Sequence, residues 1–163
     1  MAMDSGPFAA LTVIVAPAIL TNASSVLCLG TSNRIARVVD RTRVLAAELG
    51  ALDPKNPVAS EVSHHLNRLK VRAHLLMRAL RCFYASIGSF AATALISVIG
   101  SLWAVSAGEA VFDATALLSL VAGTAGVGGL VIGCSLMVRE TQLAVRFLEQ
   151  EVTLIQRIPK ATF

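Results

Sequence analysis

Three long stretches of this sequence contain no charged residue. They cover residues 8–30, 82–108 and 114–138. A bilayer core about 30 Å thick is crossed by roughly 20 mostly apolar residues in a helix, because lipid offers no partner to a free backbone amide or carbonyl. The composition agrees, since 55% of the residues are apolar, 15% are charged and the mean hydropathy is +0.71. The sequence therefore predicts an all-α integral membrane protein with three transmembrane helices.

The basic residues predict how these helices are oriented. All 14 Lys and Arg residues lie between the first and second stretches or after the third. Lys and Arg accumulate on the cytoplasmic flanks of membrane helices. We therefore expect the N-terminus outside, the segments 33–80 and 139–157 in the cytoplasm, and one structural unit over residues 1–163.

Apolar residues recur at heptad spacing in the polar segments. Alternating steps of three and four residues are typical of helices that pack through a narrow seam. A break at 53–57 separates the first two helices, and Asn56 is a suitable N-cap before Pro57. We expect a helical hairpin over 33–80 and a third helix over 139–157, which form a bundle within one chain or between chains. The predicted seams are Ile35, Val38, Thr42, Leu45, Leu49 and Leu52; Val62, Leu66, Leu69, Ala73, Leu76 and Leu80; and Val138, Val145, Leu148, Val152 and Ile155.

The first apolar stretch carries an unusual number of polar side chains. Thr21, Ser25 and Ser32 share one helical face with Cys28, and Asn22 lies beside them. Polar groups in a membrane helix must face protein or water. Two explanations remain open, namely hydrogen bonds between helices and the lining of a pore.

Acidic residues mark both predicted ends of the membrane region. Asp4, Glu109 and Asp113 are the only charges on the predicted outer side. In a symmetric oligomer they would form an acidic rim that concentrates cations, although a helix cap and a solvated turn would also explain them. Asp40 and Glu140 lie at a depth that makes them candidates for an inner mouth.

The third apolar stretch contains small residues at four-residue spacing. Ala125, Gly129 and Gly133 form this pattern. Small side chains let membrane helices approach closely, because packing rather than the hydrophobic effect drives association in lipid. We expect this face to contact another helix, either in the same chain or in a second subunit.

The sequence offers no pattern typical of an enzyme or a metal site. His64, His65 and His74 lack partners at metal-ligand spacing, and no nucleophile is paired with a base. The basic segment between the first two stretches contains no aromatic residue for stacking on bases. We expect no catalysis, no cofactor, no metal and no nucleic acid. The expected partners are the lipid bilayer, further copies of this chain and inorganic cations.

Several segments resemble a bacterial membrane family. They are LTVIVAPAIL at 11–20, NRIARVVDRTR at 33–43, NRLKVRA at 67–73 and Arg139-Glu140. The chain resembles the three-span proteins known as domain of unknown function 2721, over nearly its whole length. The resemblance implies a bacterial membrane location and three helices, and it brings no activity with it. We therefore expect a multi-pass protein of the bacterial cytoplasmic (inner) membrane.

Two hypotheses for function follow from these features. The first is an oligomeric cation-conducting channel with an acidic outer rim and a polar first span. The alternative is a non-catalytic membrane scaffold or assembly subunit that acts through cytoplasmic coiled-coil helices.

Overall fold

The fold consists of three long α-helices, seen in a computed structural model of the chain. Helix α1 runs Pro7–Ala51, α2 runs Pro57–Ala107 and α3 runs Glu109–Arg157. The structure describes residues 7–53, 56–107 and 109–157, with side chains within 15–53, 56–103, 111 and 113–147. These ranges contain no strand, so the prediction of an all-α fold is confirmed.

All three helices are long and apolar enough to cross a membrane. The candidate spans lie within Val15–Ala51, Pro57–Trp103 and Asp113–Phe147. At most 22% of the most apolar stretch of each helix is buried in the protein. Most of this apolar surface is therefore available to lipid, as a multi-pass membrane protein requires.

The described residues form two compact units, and each helix contributes to both. The apolar unit contains residues 7–32, 79–107 and 109–133, and the polar unit contains residues 33–53, 56–78 and 134–157.

A short capped turn separates α1 from α2. The Asn56 side-chain Oδ1 accepts a hydrogen bond of 3.0 Å from the Val58 amide, and its backbone carbonyl accepts one of 2.9 Å from the Ala59 amide. The prediction that Asn56 caps the helix after the break is confirmed. Pro57 begins α2, where a missing amide hydrogen has no cost and the fixed φ suits a helix.

In the apolar unit, α2 and α3 pack antiparallel in a regular register. An added Cβ atom at Gly133 would meet Phe83, one at Gly126 would meet Phe90, and one at Gly100 would meet Thr115. Along this contact the residue numbers increase on α2 while they decrease on α3, so the two helices run in opposite directions. Phe83 and Phe90 are 0% and 2% exposed, because each ring lies against a backbone that carries no side chain.

The first two seams face the interior of the protein, and all their positions except Leu80 belong to the polar unit. The described positions of the α1 and α2 seams are all buried or half-buried, with Leu76 at 0% exposed and Val38 at 6%. The described positions of the third seam do not face the interior of this chain, since Val138 and Val145 are 56% and 49% exposed, and its closure between chains stays a prediction. The inward face of α3 instead carries Leu136, Met137, Glu140, Leu143, Ala144 and Phe147.

Candidate functional site

A buried carboxylate occupies the inward face of α3 in the polar unit. Glu140 is 2% exposed. Its Oε1 accepts a hydrogen bond of 2.8 Å from Arg72 Nε and lies 2.7 Å from Arg72 Nη2. Its Oε2 lies 3.6 Å from Arg34 Nη1, which also donates a 3.3 Å hydrogen bond to Thr141 Oγ1. One carboxylate therefore joins all three helices.

Helix periodicity explains why these groups meet. Glu140 lies between Met137 and Leu143 on the inward face of α3, and Arg72 lies next to the seam residue Ala73 on α2. A buried charge is tolerated only when it is paired and hydrogen-bonded. The two guanidinium groups meet this requirement, and their own side chains remain 29% and 52% exposed for Arg72 and Arg34.

An arginine-lined cleft of about 360 Å³ opens beside this carboxylate. Four arginines and Glu140 line it, together with the apolar residues Val38 and Leu69. The basic members from α1 are three and four residues apart and so share one face of the helix. The lining arginines are Arg34, Arg37, Arg41 and Arg72. We call this site the arginine cleft.

Sequence reasoning selected Glu140 but not the residues around it. Asp40, its predicted companion at an inner mouth, is exposed and does not line the cleft. The spacing of the three α1 arginines was the available signal for the cleft. Arg72 could not have been assigned to it from the sequence, because its partner lies 68 residues away.

Most of the described hydroxyls of α1 donate hydrogen bonds to carbonyls of their own helix. Thr21 Oγ1 donates to the Pro17 carbonyl at 2.8 Å, and Ser25 Oγ donates to the Thr21 carbonyl at 2.9 Å. Thr21 and Ser32 are half-buried, whereas Ser25 is exposed. Among the described side chains of α1, the fully buried hydroxyls belong to Ser24 and Thr31, which also donate to carbonyls four residues earlier.

Asn22 differs from these hydroxyl residues. Its side chain is exposed on the apolar unit. Among the described residues, none hydrogen-bonds its amide. Asn22 thus presents an unsatisfied donor and acceptor on a surface that is otherwise suited to lipid.

The structure places the predicted acidic rim only in part. Asp113 lies in α3 and is exposed. Glu109 is the first residue of α3, but its side chain lies outside the described side chains, and Asp4 lies outside the described residues.

The small-residue face of α3 contacts α2 of the same chain. A Cβ atom at Gly129 would lie 2.5 Å from Ser86 Oγ, and one at Gly133 would lie 2.5 Å from Phe83 Cε1. Ala125 is exposed, and buried Gly126 lies one residue farther along against Phe90. The contact spacing is therefore three and four residues rather than four and four, as a helix of 3.6 residues per turn requires.

Within the described side chains, no group of three His, Cys, Asp or Glu is arranged to hold a metal ion.

Comparison with known proteins identifies a family and no closer counterpart. No curated protein and no solved structure matches the chain. The model of the family described as "Protein of unknown function (DUF2721)" matches residues 14–150. Because this match covers most of the chain, the protein belongs to that family.

Proposed function

We propose that this protein is a non-catalytic assembly subunit of the bacterial cytoplasmic membrane, in which copies associate through the Asn22 face of α1. The N-terminus lies outside and the polar unit lies in the cytoplasm. The distribution of the 14 basic residues supports this orientation, because cytoplasmic flanks are rich in Lys and Arg.

The exposed, unpaired Asn22 amide is the observation that carries the proposal. An amide facing hydrocarbon has no water to bond, so a second polar group is its natural partner. Ala18 and Ser25 are also exposed and lie one turn away on either side. Their small side chains would let a second α1 helix approach closely enough for two Asn22 amides to bond each other.

Replacing Asn22 tests this association directly. Asn22→Leu should weaken self-association about tenfold, since an interhelical hydrogen bond in a membrane contributes roughly 1–2 kcal/mol. Sedimentation equilibrium of the purified protein in a neutral detergent measures the dissociation constant. Thr124→Leu is a matched control, because it also replaces an exposed polar residue of the apolar unit. A monomeric wild type, or equal association of Asn22→Leu and wild type, would refute the proposal.

Cation conduction is a second candidate, favoured by the polar character of the same α1 face. Asn22 and Ser25 are exposed and would border a path between subunits, whereas Ser24 and Thr31 are sealed inside one protomer. Glu140 is already engaged by two guanidinium groups, which makes it a weak attractor of cations. The assembly role is therefore the better supported of the two.

A flux assay separates the candidates. We expect proteoliposomes that contain the wild-type protein to show no cation flux above that of empty liposomes. If flux is present, the combined change Asp4→Asn, Glu109→Gln and Asp113→Asn should reduce it, because an acidic rim raises the local cation concentration. Such a reduction would establish the channel with its predicted outer mouth and count against a purely structural role.

A further inference from the structure

The arginine cleft contains more positive charge than the chain neutralises. Glu140 is the one carboxylate among its lining residues, against four guanidinium groups. Arg72 and Arg34 are held by Glu140 at 2.7 Å and 3.6 Å. In the part of the chain that the structure describes, no carboxylate lies within 4.0 Å of the guanidinium groups of Arg37 or Arg41.

Such an arrangement has an energetic cost unless an anion is present. Arg37 and Arg41 are four residues apart on one helix, and like charges at this spacing repel each other. Arg72 approaches from α2 and adds to the same positive field. The Glu140 carboxylate already fixes Arg34 and Arg72 in the cleft wall, so an anion bound by Arg37 and Arg41 would not have to order these two side chains as well.

We propose that the arginine cleft binds a phosphate group, with Arg37 and Arg41 as its direct ligands and Glu140 as the residue that positions Arg34 and Arg72. The inference does not depend on self-association through Asn22. Planar guanidinium forks bind phosphate through two parallel hydrogen bonds, and the additional oxygens of a phosphate group let it bind more than one fork at a time. A cleft of about 360 Å³ admits the phosphate and part of the molecule attached to it.

Two sources could supply this phosphate, namely a soluble phosphate compound and the headgroup of an anionic phospholipid. Arg37, the nearer of the two proposed ligands, lies about 10 Å along the helix beyond Gly30, the last residue of the first uncharged stretch, at 1.5 Å per residue. Its long side chain brings a phospholipid headgroup within reach by sequence. The apolar side chains of Val38 and Leu69 are compatible with either source.

The test uses the full chain in a neutral detergent at constant ionic strength. Inorganic pyrophosphate is titrated by calorimetry as the soluble probe. Retention of phosphatidylglycerol, compared with phosphatidylcholine, is measured by native mass spectrometry as the lipid probe. The cleft variant combines Arg37→Gln with Arg41→Gln. The control variant combines Arg43→Gln with Lys70→Gln, which removes the same charge from exposed positions outside the cleft.

We expect the wild type to bind at least one probe saturably, and which probe binds identifies the source. The cleft variant should bind about tenfold or more weakly, because each lost charge-assisted hydrogen bond contributes to affinity. The control variant should lose about threefold at most, since exposed charges away from the site are screened by salt. Circular dichroism should show both variants folded, because all four replaced side chains are exposed. Saturable binding of neither probe by the wild type, or equal losses in the two variants, would overturn the proposal.

Discussion

Replacing Glu140 with Ala is expected to destabilise the protein by about 3 kcal/mol, at the lower end of the range for breaking a buried ion pair. The change leaves Arg72 and Arg34 without the carboxylate that lies 2.7 Å and 3.6 Å from them. Both side chains are partly exposed and can turn toward water, which limits the loss. The loss of helical circular dichroism on heating in detergent measures the change.

Two further variants show whether the effect comes from the ion pair. Glu48→Ala removes an exposed carboxylate of the polar unit and should leave the midpoint temperature of thermal unfolding nearly unchanged. Glu140→Met combined with Arg72→Met should recover much of the lost stability, because a buried pair can be replaced by apolar side chains of similar volume. A wild-type midpoint for Glu140→Ala would contradict the structural role assigned to this residue.

Adding a methyl group at Gly133 is expected to destabilise the apolar unit by about 1–3 kcal/mol. The new Cβ atom would lie 2.5 Å from Cε1, 2.8 Å from Cδ1 and 3.0 Å from Cζ of Phe83. The Phe83 ring is 0% exposed and cannot swing away into solvent or lipid. The clash must outweigh the gain of up to about 1 kcal/mol that Ala has over Gly in a helix. Thermal unfolding of Gly133→Ala in detergent measures the net effect.

Gly128 provides the matched control on the same helix. Nothing lies within 4 Å of a Cβ atom built there, so Gly128→Ala should be neutral or slightly stabilising. Combining Gly133→Ala with Phe83→Leu should restore part of the lost stability by making room for the methyl group. Equal midpoints for Gly128→Ala and Gly133→Ala would show that the helices do not pack in the described register.

The close packing of α2 on α3 also limits where a second subunit could bind. Side chains of α2 in the same chain cover Gly126, Gly129 and Gly133, so this face of α3 is not available to another protomer. The exposed small residues of α1 remain available, which agrees with the proposed role of Asn22.

Local composition determined much of this protein. Three uncharged stretches of sufficient length predict the three long apolar helices, because a membrane span needs a continuous run of apolar residues. The capped turn at Asn56 follows from residues adjacent in sequence, and the first two seams follow from spacings within one helix. Family membership likewise depends on sequence alone.

Only the tertiary structure decided which residues face each other. Apolar periodicity alone assigns charged residues to the surface, so it does not reveal that Glu140 is 2% exposed on the inward face of α3 while Val138 and Val145 face outward in this chain. Glu140 can face inward because Arg72 and Arg34, which belong to two other helices, pair with its carboxylate. In the same way, Gly126 rather than Ala125 lies against α2, because the Phe90 ring of α2 packs at Gly126. A helix specifies its own periodicity, but the side chains of its neighbours determine which face is buried.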